Sequence, residues 1–301
     1  MNLEFPPLFV NADQASQILQ KKHFRLLQSQ YVLLLAASST TVLGHFWLGA
    51  RSEALLYLIF VILAVVALVR SVSSKPEKGW YNARAIAESV KTTTWRYAMG
   101  AEPFELTSKT SAANQLFAKR LEAIKSGHDP QGDALRFGIQ SGDIITPTMQ
   151  SMRALEFKSR KNIYLDQRIE DQFGWYQNKS KVNDRKSVLL SWICIGLYGF
   201  AVLIGLMQVL DPTMQLFGIS NSLKWVSEPV LVAAAGLLGW MQAKRYAELA
   251  ASYNLAAHDI MSVKASIQVI TTESAFAHAV AEAESAFSRE HTQWVARQSQ
   301  S

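Results

Sequence analysis

Four hydroxyl side chains in a row, Ser38-Ser39-Thr40-Thr41, interrupt a stretch that is otherwise apolar. A hydroxyl in lipid takes a partner from its own helix's carbonyls or from a neighbouring helix. If several chains assembled, the same groups could line a path for water. Both readings are open from the residues alone. Other reactive side chains are sparse. His278 and Glu282 lie one helical turn apart and Glu290 adjoins His291, spacings that metal ligands use but that a charged helix surface also produces. Glu170-Asp171 is a carboxylate pair with no evident partner, as on a solvated helix face. The single cysteine, Cys194, excludes a disulfide within the chain and reads as a small apolar core residue. The sequence has no phosphate loop ending in Gly-Lys-Ser/Thr, no Gly-x-Gly-x-x-Gly and no His-Glu-x-x-His. No catalytic, cofactor-binding or metal residue is therefore assigned, no cofactor is expected, and the chain is expected not to be an enzyme.

The elements that must position the hydroxyl run are two apolar hairpins. The first comprises Tyr31 to Ala50 and Ala54 to Val72; the second comprises Val188 to Leu210 and Pro229 to Ala243. A bilayer core of ~30 Å needs ~20 residues of helix. The run Leu55–Val69 has no polar stripe, as the surface helix of a soluble domain would. The hydrophobic fraction of 49% is ordinary for a soluble chain, but it is concentrated in these four runs. Each hairpin ends on one signature. Gly79-Trp80 is followed by Ala83, Arg84, Ala87 and Glu88; Gly239-Trp240 is followed by Ala243, Lys244, Ala247 and Glu248, every position offset by 160. Gln17, Lys21 and Arg25 match Gln177, Lys181 and Arg185 at the same offset. Trp80, Arg84, Glu88, Trp240, Lys244 and Glu248 thus mark a tandem two-span repeat.

Charge orients the spans. Lys21, Lys22, Arg25, Lys179, Lys181, Arg185 and Lys186 flank the entries, and Arg70, Lys75, Lys78, Arg84, Lys244 and Arg245 flank the exits. The hairpin turns carry only Arg51 and Lys224. Positive-inside logic puts both turns outside and both termini in the cytoplasm. The net charge of +6 is then largely juxtamembrane, facing anionic lipid. No basic strand interleaved with stacking aromatics points to nucleic acid. The N-terminus has no basic start, so the first run reads as a retained span. No Asp, Glu or His lies deep in a span, which disfavours an ion-coupled transporter built from parallel repeats.

Between these runs the pattern predicts further helices. Asn11 or Asp13 would cap one starting near Gln14 that runs on into the first span. Gly49 and Arg51 fall in a short outer turn. A break at Ser73–Gly79 precedes a helix from Trp80 to Gly100, with Pro103 beyond its end. Ala112–Lys125 reads helical, His128–Gly132 as a turn, and Gly138–Ile145 as a loop. Thr146-Pro147 is a helix start, from which one unbroken helix would reach the third span after roughly 55 Å. Its stripe Ile169, Phe173 and Tyr176 is expected to pack on the helix after Trp240. Asp211–Glu228 reads as the second outer loop. Phe276, Val280, Phe287 and Trp294 are spaced like a coiled-coil seam, and Arg297–Ser301 as a frayed end. Ala201/Gly205 and Ala235/Gly239 suit close helix contacts.

Two sets of motifs resemble a known family. Trp80–Lys91, with Trp95-Arg96-Tyr97-Ala98-Met99 and Glu102-Pro103-Phe104, is similar to the post-span helix of the SMODS- and SLOG-associating two-span effectors, the SLATT family. Ile145–Met149, Tyr164, Arg168-Ile169, Asp171-Gln172 and Trp175–Lys179 resemble the entry helix of a second SLATT type, and Glu282-Ala283-Glu284 with Glu290-His291 and Trp294 resembles its ending. The resemblance covers about residues 14–297. It implies a pore-forming effector of a bacterial or archaeal conflict system in the inner (cytoplasmic) membrane, responding to a nucleotide-signal synthase or a sensor partner. The family defines no catalytic residues, and no sensor domain is detectable here.

The expected fold is therefore all-α, an integral membrane protein of two tandem two-span hairpins with long cytoplasmic helices. Its expected divisions are a first module at 14–104, a cytoplasmic linker at 105–145 and a second module at 146–297. The lipid bilayer and a homo-oligomer are expected partners, nucleic acid is not, and Ser38, Ser39, Thr40 and Thr41 are the candidate pore lining. A membrane-anchored scaffold or sensor, recruiting a cytoplasmic partner through its helices, is the alternative.

Overall fold

Proline sets where several of the helices begin. The computed structural model describes residues 2–47, 49–106, 109–127, 142–211 and 222–298, and all regular structure among them is helical. Helix α1 (Pro7–Trp47) starts well before the expected Gln14, because Pro7 presets a helical φ and the Pro6 carbonyl accepts from the amides of Phe9 and Val10 at 2.9 and 3.4 Å. Asp13 is consequently not a cap; its carboxylate accepts from the Gln17 side chain at 2.8 Å. Helix α2 (Ala50–Ser74) follows Gly49, so Arg51 lies in its first turn. The expected break falls at Lys75, which has φ 38°, and α3 (Pro76–Met99) again starts on a proline. Helix α4 spans Thr110–Ser126. The turn at 128–132 lies outside the described residues, as do 138–141 of the expected loop.

The single long helix expected from Thr146 is two pieces. Thr146 does cap α5 (Pro147–Arg153), its hydroxyl accepting from the Met149 amide at 3.3 Å, but the chain breaks after Arg153 and resumes at Phe157. Helix α6 (Phe157–Tyr164) then passes through a π-turn (Leu165–Glu170) into α7 (Asp171–Leu210). The break contains neither glycine nor proline, and two buried arginines account for it. Arg153 donates to the carbonyls of Tyr97 and Phe104 at 2.9 and 2.6 Å. Arg160 donates to those of Leu155 and Met99 at 2.9 and 2.7 Å. Both reach the open carbonyls at the C-terminus of α3, where cations are favoured. The break leaves the Leu155 carbonyl open to accept from Arg160 while both arginines converge on that one end. The remaining stretch before the third span is roughly 45 Å of helix.

Helix α8 (Ser222–Lys244) takes up 222–228, which the sequence suggested as loop, and so places Pro229 inside a helix; 212–221 lie outside the described residues. Arg245, with φ 49°, separates α8 from α9 (Tyr246–Gln268), and α10 covers Glu273–Gln298, so that 297 and 298 of the expected frayed end are helical. Four helical stretches, Pro7–Gly44, Ala50–Met99, Phe157–Leu210 and Trp225–Gln268, are long and apolar enough to cross a membrane.

The helices sort into two compact units. The first gathers Met1–Lys21, Pro76–Gln177 and Leu255–Ser301; the second gathers Lys22–Lys75 and Asn178–Asn254. Each half of the tandem repeat gives its apolar runs to the second unit and its polar flanks to the first.

The first unit is built around α3. Ile86, Val90 and Tyr97 pack with Ala12, Phe104, Phe117 and Met149, while Trp95, Ala98 and Met99 pack with Tyr164, Ile169, Ile260, Ile267, Phe276 and Val280. A helix buried on both sides needs no polar stripe. Its buried threonines donate inward to its own backbone, Thr92 and Thr93 to the Ser89 carbonyl and Thr94 to that of Val90. The expected stripe is confirmed: Ile169 is fully buried, with Phe173 and Tyr176 against the same cluster as Ile260 and Val263 of α9. Phe276 and Val280, read as a coiled-coil seam, are consumed by this core, joined by half-buried Phe287; the Trp294 side chain lies outside the described ones.

The second unit has the inverse distribution. Its inward positions are small, Ala37, Ala64, Ala67 and Ala234, while Leu55, Ile62, Val69, Leu189 and Leu203 are each at least half exposed. That pattern is what lipid allows, since lipid solvates large apolar side chains and small ones let backbones approach. Gly236 and Gly239 both lie against Tyr31, so the close contact involves Gly236 with Gly239 instead of Ala235 with Gly239. Around Gly205 no neighbour among the described residues lies within 4 Å of where a Cβ would sit, so Gly205 makes no such contact with them.

Gly100 ends α3 at φ +67°. The amide of Ala101 returns to the Arg96 carbonyl at 2.9 Å and that of Gly100 to Tyr97 at 3.2 Å, the two bonds of a Schellman turn. A Cβ there would stand 2.8 Å from Leu106 Cγ. Gly100→Ala is expected to destabilise the first unit by about 2 kcal/mol, read as a lowered melting temperature of the full chain in detergent. A change below about 0.5 kcal/mol would contradict the turn.

Candidate functional site

The hydroxyl run sits on α1, and each of its members is held by α1 itself. Ser38 and Ser39 donate to the Leu35 carbonyl at 2.9 and 2.8 Å, Thr40 to Ala37 at 2.7 Å, and Thr41 to Ser38 at 2.8 Å. Such back-bonding satisfies each proton while leaving oxygen lone pairs to accept from water or another helix. Thr40 is 1% exposed and the other three are half-buried. Four successive residues cover most of the helix circumference, so the run forms a polar belt one turn high, not a stripe. One turn further on, Gly44 leaves room for the Glu53 carboxylate from the first turn of α2. Sequence reasoning passed over Glu53, although an acid in a helix's first turn is a legible signal. It also passed over Gln208 of α7, whose buried amide nitrogen has no partner among the described residues.

The repeat signature divides into two arrangements. In the first repeat, Trp80 is buried and stacks on Tyr81, with centroids 4.7 Å apart, and Arg84 bridges Glu88 at 2.6 Å and Asp13 at 3.6 Å. In the second, Trp240 meets Phe24 edge-on at 5.8 Å, and the Lys244 ammonium lies 3.1 Å from the Phe24 ring centre. Glu248 pairs with Arg245, not with Lys244. The helix break explains the divergence. It falls at Lys75, five residues before Trp80, but at Arg245, five residues after Trp240. The first signature therefore belongs to the first unit and the second signature to the second unit.

The ion pair of the first unit in which both partners are enclosed is Arg168–Glu284, 1% and 0% exposed, among the described residues. Arg168 Nε and Nη2 donate to the two Glu284 oxygens at 2.8 and 2.7 Å, and the Tyr164 hydroxyl donates to Oε1 at 2.9 Å. Phe287 covers the guanidinium at 5.0 Å. Burial alone would lower the Arg168 pKa, but the Glu284 charge and its hydrogen bonds overcome that and hold it above the ordinary arginine value. Burial, and then Glu284, push the Tyr164 hydroxyl well above its usual value, so it stays protonated as the donor. Arg168 lies in the π-turn, whose extra residue per turn re-aims its side chain. Arg153, Arg160 and Arg168 recur every seven or eight residues beside Met152, Tyr164 and Ile169, a signal that was readable but resembles ordinary surface charge.

The remaining candidates have structural partners. Glu170 pairs with Lys264 of α9, so the carboxylate pair is not unpartnered as the sequence suggested. His278 lies 3.4 Å from Glu282 and 3.5 Å from Glu102. Cys194 points its thiol at the Ala234 carbonyl, 3.8 Å away. Among the described residues no three His, Cys, Asp or Glu side chains converge as a metal site would require.

Two family models match the chain in tandem. That of the SMODS and SLOG-associating 2TM effector domain 3 matches residues 6–161, and that of the SMODS and SLOG-associating 2TM effector domain 1 matches residues 164–294. No curated protein and no solved structure matches the chain.

Removing one partner of the buried ion pair strands the other. Glu284→Gln is expected to destabilise the first unit by roughly 3–5 kcal/mol, while Arg168→Met with Glu284→Leu recovers most of that loss. Thermal melts of the full chain in detergent read both. A double variant no more stable than the single would show that the pair's charge is not what holds these helices.

Proposed function

Because the chain belongs to the SMODS- and SLOG-associating two-span effector family along both of its halves, and carries four helices able to cross a membrane, we propose that it is an effector that permeabilises a prokaryotic inner membrane when activated in a conflict system. The observation that supports permeabilisation best is the polar belt Ser38–Thr41 in the middle of an apolar α1. Its protons are satisfied within the helix, so it tolerates lipid, while its free lone pairs suit it to water once several copies of α1 come together. Both termini lie in the cytoplasm and both hairpin turns outside, on the charge asymmetry of the flanks. The exposed apolar faces of the second unit meet lipid or further copies of the chain. A nucleotide-signal synthase, or a sensor that reads its product, is the upstream partner that the family's association suggests.

The scaffold reading is less well supported. It relies on an unoccupied helical seam, yet Phe276 and Val280 are already buried in the chain's own core.

Inducible expression in bacteria with a voltage-sensitive dye tests the reading. The wild type is expected to depolarise cells and arrest growth, and a variant with Ser38, Ser39, Thr40 and Thr41 all changed to Leu is expected to insert at equal level without depolarising. Equal depolarisation by both would remove the belt as the lining.

A further inference from the structure

The first unit contains a cleft of about 660 Å³ whose walls come from α3, the turn after it, α4, α9 and α10. That size is in the range of small-molecule sites. Two of its side chains are the guanidinium groups of Arg96 and Arg120. They are near enough to repel: burial lowers the Arg96 pKa first, the Glu284 charge raises it, and Arg120 lowers it again. Among the described residues neither arginine has a carboxylate oxygen within 4.0 Å. Arg96 instead donates through Nη2 to the Ala281 carbonyl at 2.8 Å and to the Ser285 hydroxyl, and its Nε is buried without a partner. Adjacent cations that make no ion pair, and that acids offset only from a distance, are costly in the absence of an anion.

The hydroxyls around them fit the same ligand. Ser285 accepts from Arg96 and keeps its own proton to donate. Ser262 and Ser266 rest on carbonyls of their own helix at 3.4 and 3.0 Å and can turn toward a stronger acceptor. The Nη1 group of Arg96 and the Arg120 guanidinium, with three hydroxyls, suit a tetrahedral dianion better than a planar carboxylate. The cleft far exceeds one inorganic ion, and Val263, Ile267 and Ala283 give it an apolar floor. On α10, His278 and Glu282 come roughly one to two turns before Ser285, with Glu102 beside His278, so acceptors stand about 5 to 10 Å along the helix from the hydroxyl end.

We infer that this cleft binds a small organic phosphate, its phosphate held by Arg96, Arg120 and Ser285 and its polar body by the Glu102–His278–Glu282 group. The site ties α3 and α4 to α9 and α10, and the sequence runs from α9 back to the fourth span with only Arg245 between helices. A bound ligand thus crosslinks the helices from which the spans depart. The assignment is independent of permeabilisation, because binding is measured on detergent-solubilised protein with no current.

The full chain in detergent is titrated with ribose 5-phosphate, AMP and pyrophosphate by thermal shift and calorimetry, with uncharged ribose and adenosine as controls. Ribose 5-phosphate or AMP is expected to bind with Kd about 1 mM or tighter, more weakly as salt rises, and pyrophosphate less tightly. Arg120→Ala, at an exposed position, is expected to lose roughly tenfold in affinity, Arg120→Lys less, and Glu122→Ala nothing. Several results would each overturn the assignment: no binding of any phosphate ester by the wild type, equal binding of adenosine and AMP, or unchanged affinity in Arg120→Ala. Stabilisation by phosphatidylglycerol in mixed micelles without any by soluble esters would also overturn it, assigning the cations to a lipid headgroup.

Discussion

Lipid offers no hydrogen bonds, and the rest of the structure follows from that constraint. Each backbone group in the apolar runs must be satisfied within its own segment, which leaves the helix as the form those runs take. The same rule reaches the side chains. The four hydroxyls of α1 donate back to α1, and Cys194 turns its thiol to the Ala234 carbonyl. It also inverts the usual packing. Gly236, Gly239, Ala37 and Ala64 face other helices while Leu55, Ile62 and Leu203 face outward, because lipid leaves large apolar groups with no reason to hide.

The first unit obeys the opposite economy. It buries aromatics and methionines around α3 and gives most of the charge it buries a partner. Arg153 and Arg160 close the carbonyl end of α3, and Arg168 is matched by both oxygens of Glu284 with Tyr164 as a second donor. These residues give the unit its specificity of register: hydrophobic contacts alone would let α6 and α10 slide, whereas a bidentate pair fixes one alignment. In the Arg96–Arg120 cleft two cations stand together without an ion pair among the described residues, an arrangement that marks a candidate binding site.

The sequence revealed whatever depends on composition over many residues. Four apolar runs, the repeat offset, the break near Lys75, the Thr146 cap and the burial of Ile169 were all legible, because each follows from hydrophobic period or local capping. What escaped depends on residues far apart in the chain. The break after Arg153 has no glycine or proline to mark it and goes with arginine contacts to α3 carbonyls 56 and 61 positions earlier. The displacement of the second helix break to Arg245, which separates the roles of Arg84 and Lys244, cannot be seen in a signature that repeats at constant offset. Phe276 and Val280 read as a seam for another chain because nothing local says that the chain's own core will take them. Of the candidate site, the position of Ser38–Thr41 was readable, and so was Glu53 as a first-turn acid, but its approach to Gly44 was not, since the two lie on different helices.

Family membership, the four membrane-competent helices and the polar belt are what support the proposal that assembled chains carry ions through a bilayer. The most direct measurement is conductance across a planar lipid bilayer holding the purified chain, recorded before and after adding ribose 5-phosphate or AMP to each side in turn. Discrete current steps that grow with protein density, and that vanish when the belt Ser38–Thr41 is changed to leucine, are the expected result. A bilayer that stays silent with inserted protein on both sides of that addition would contradict it.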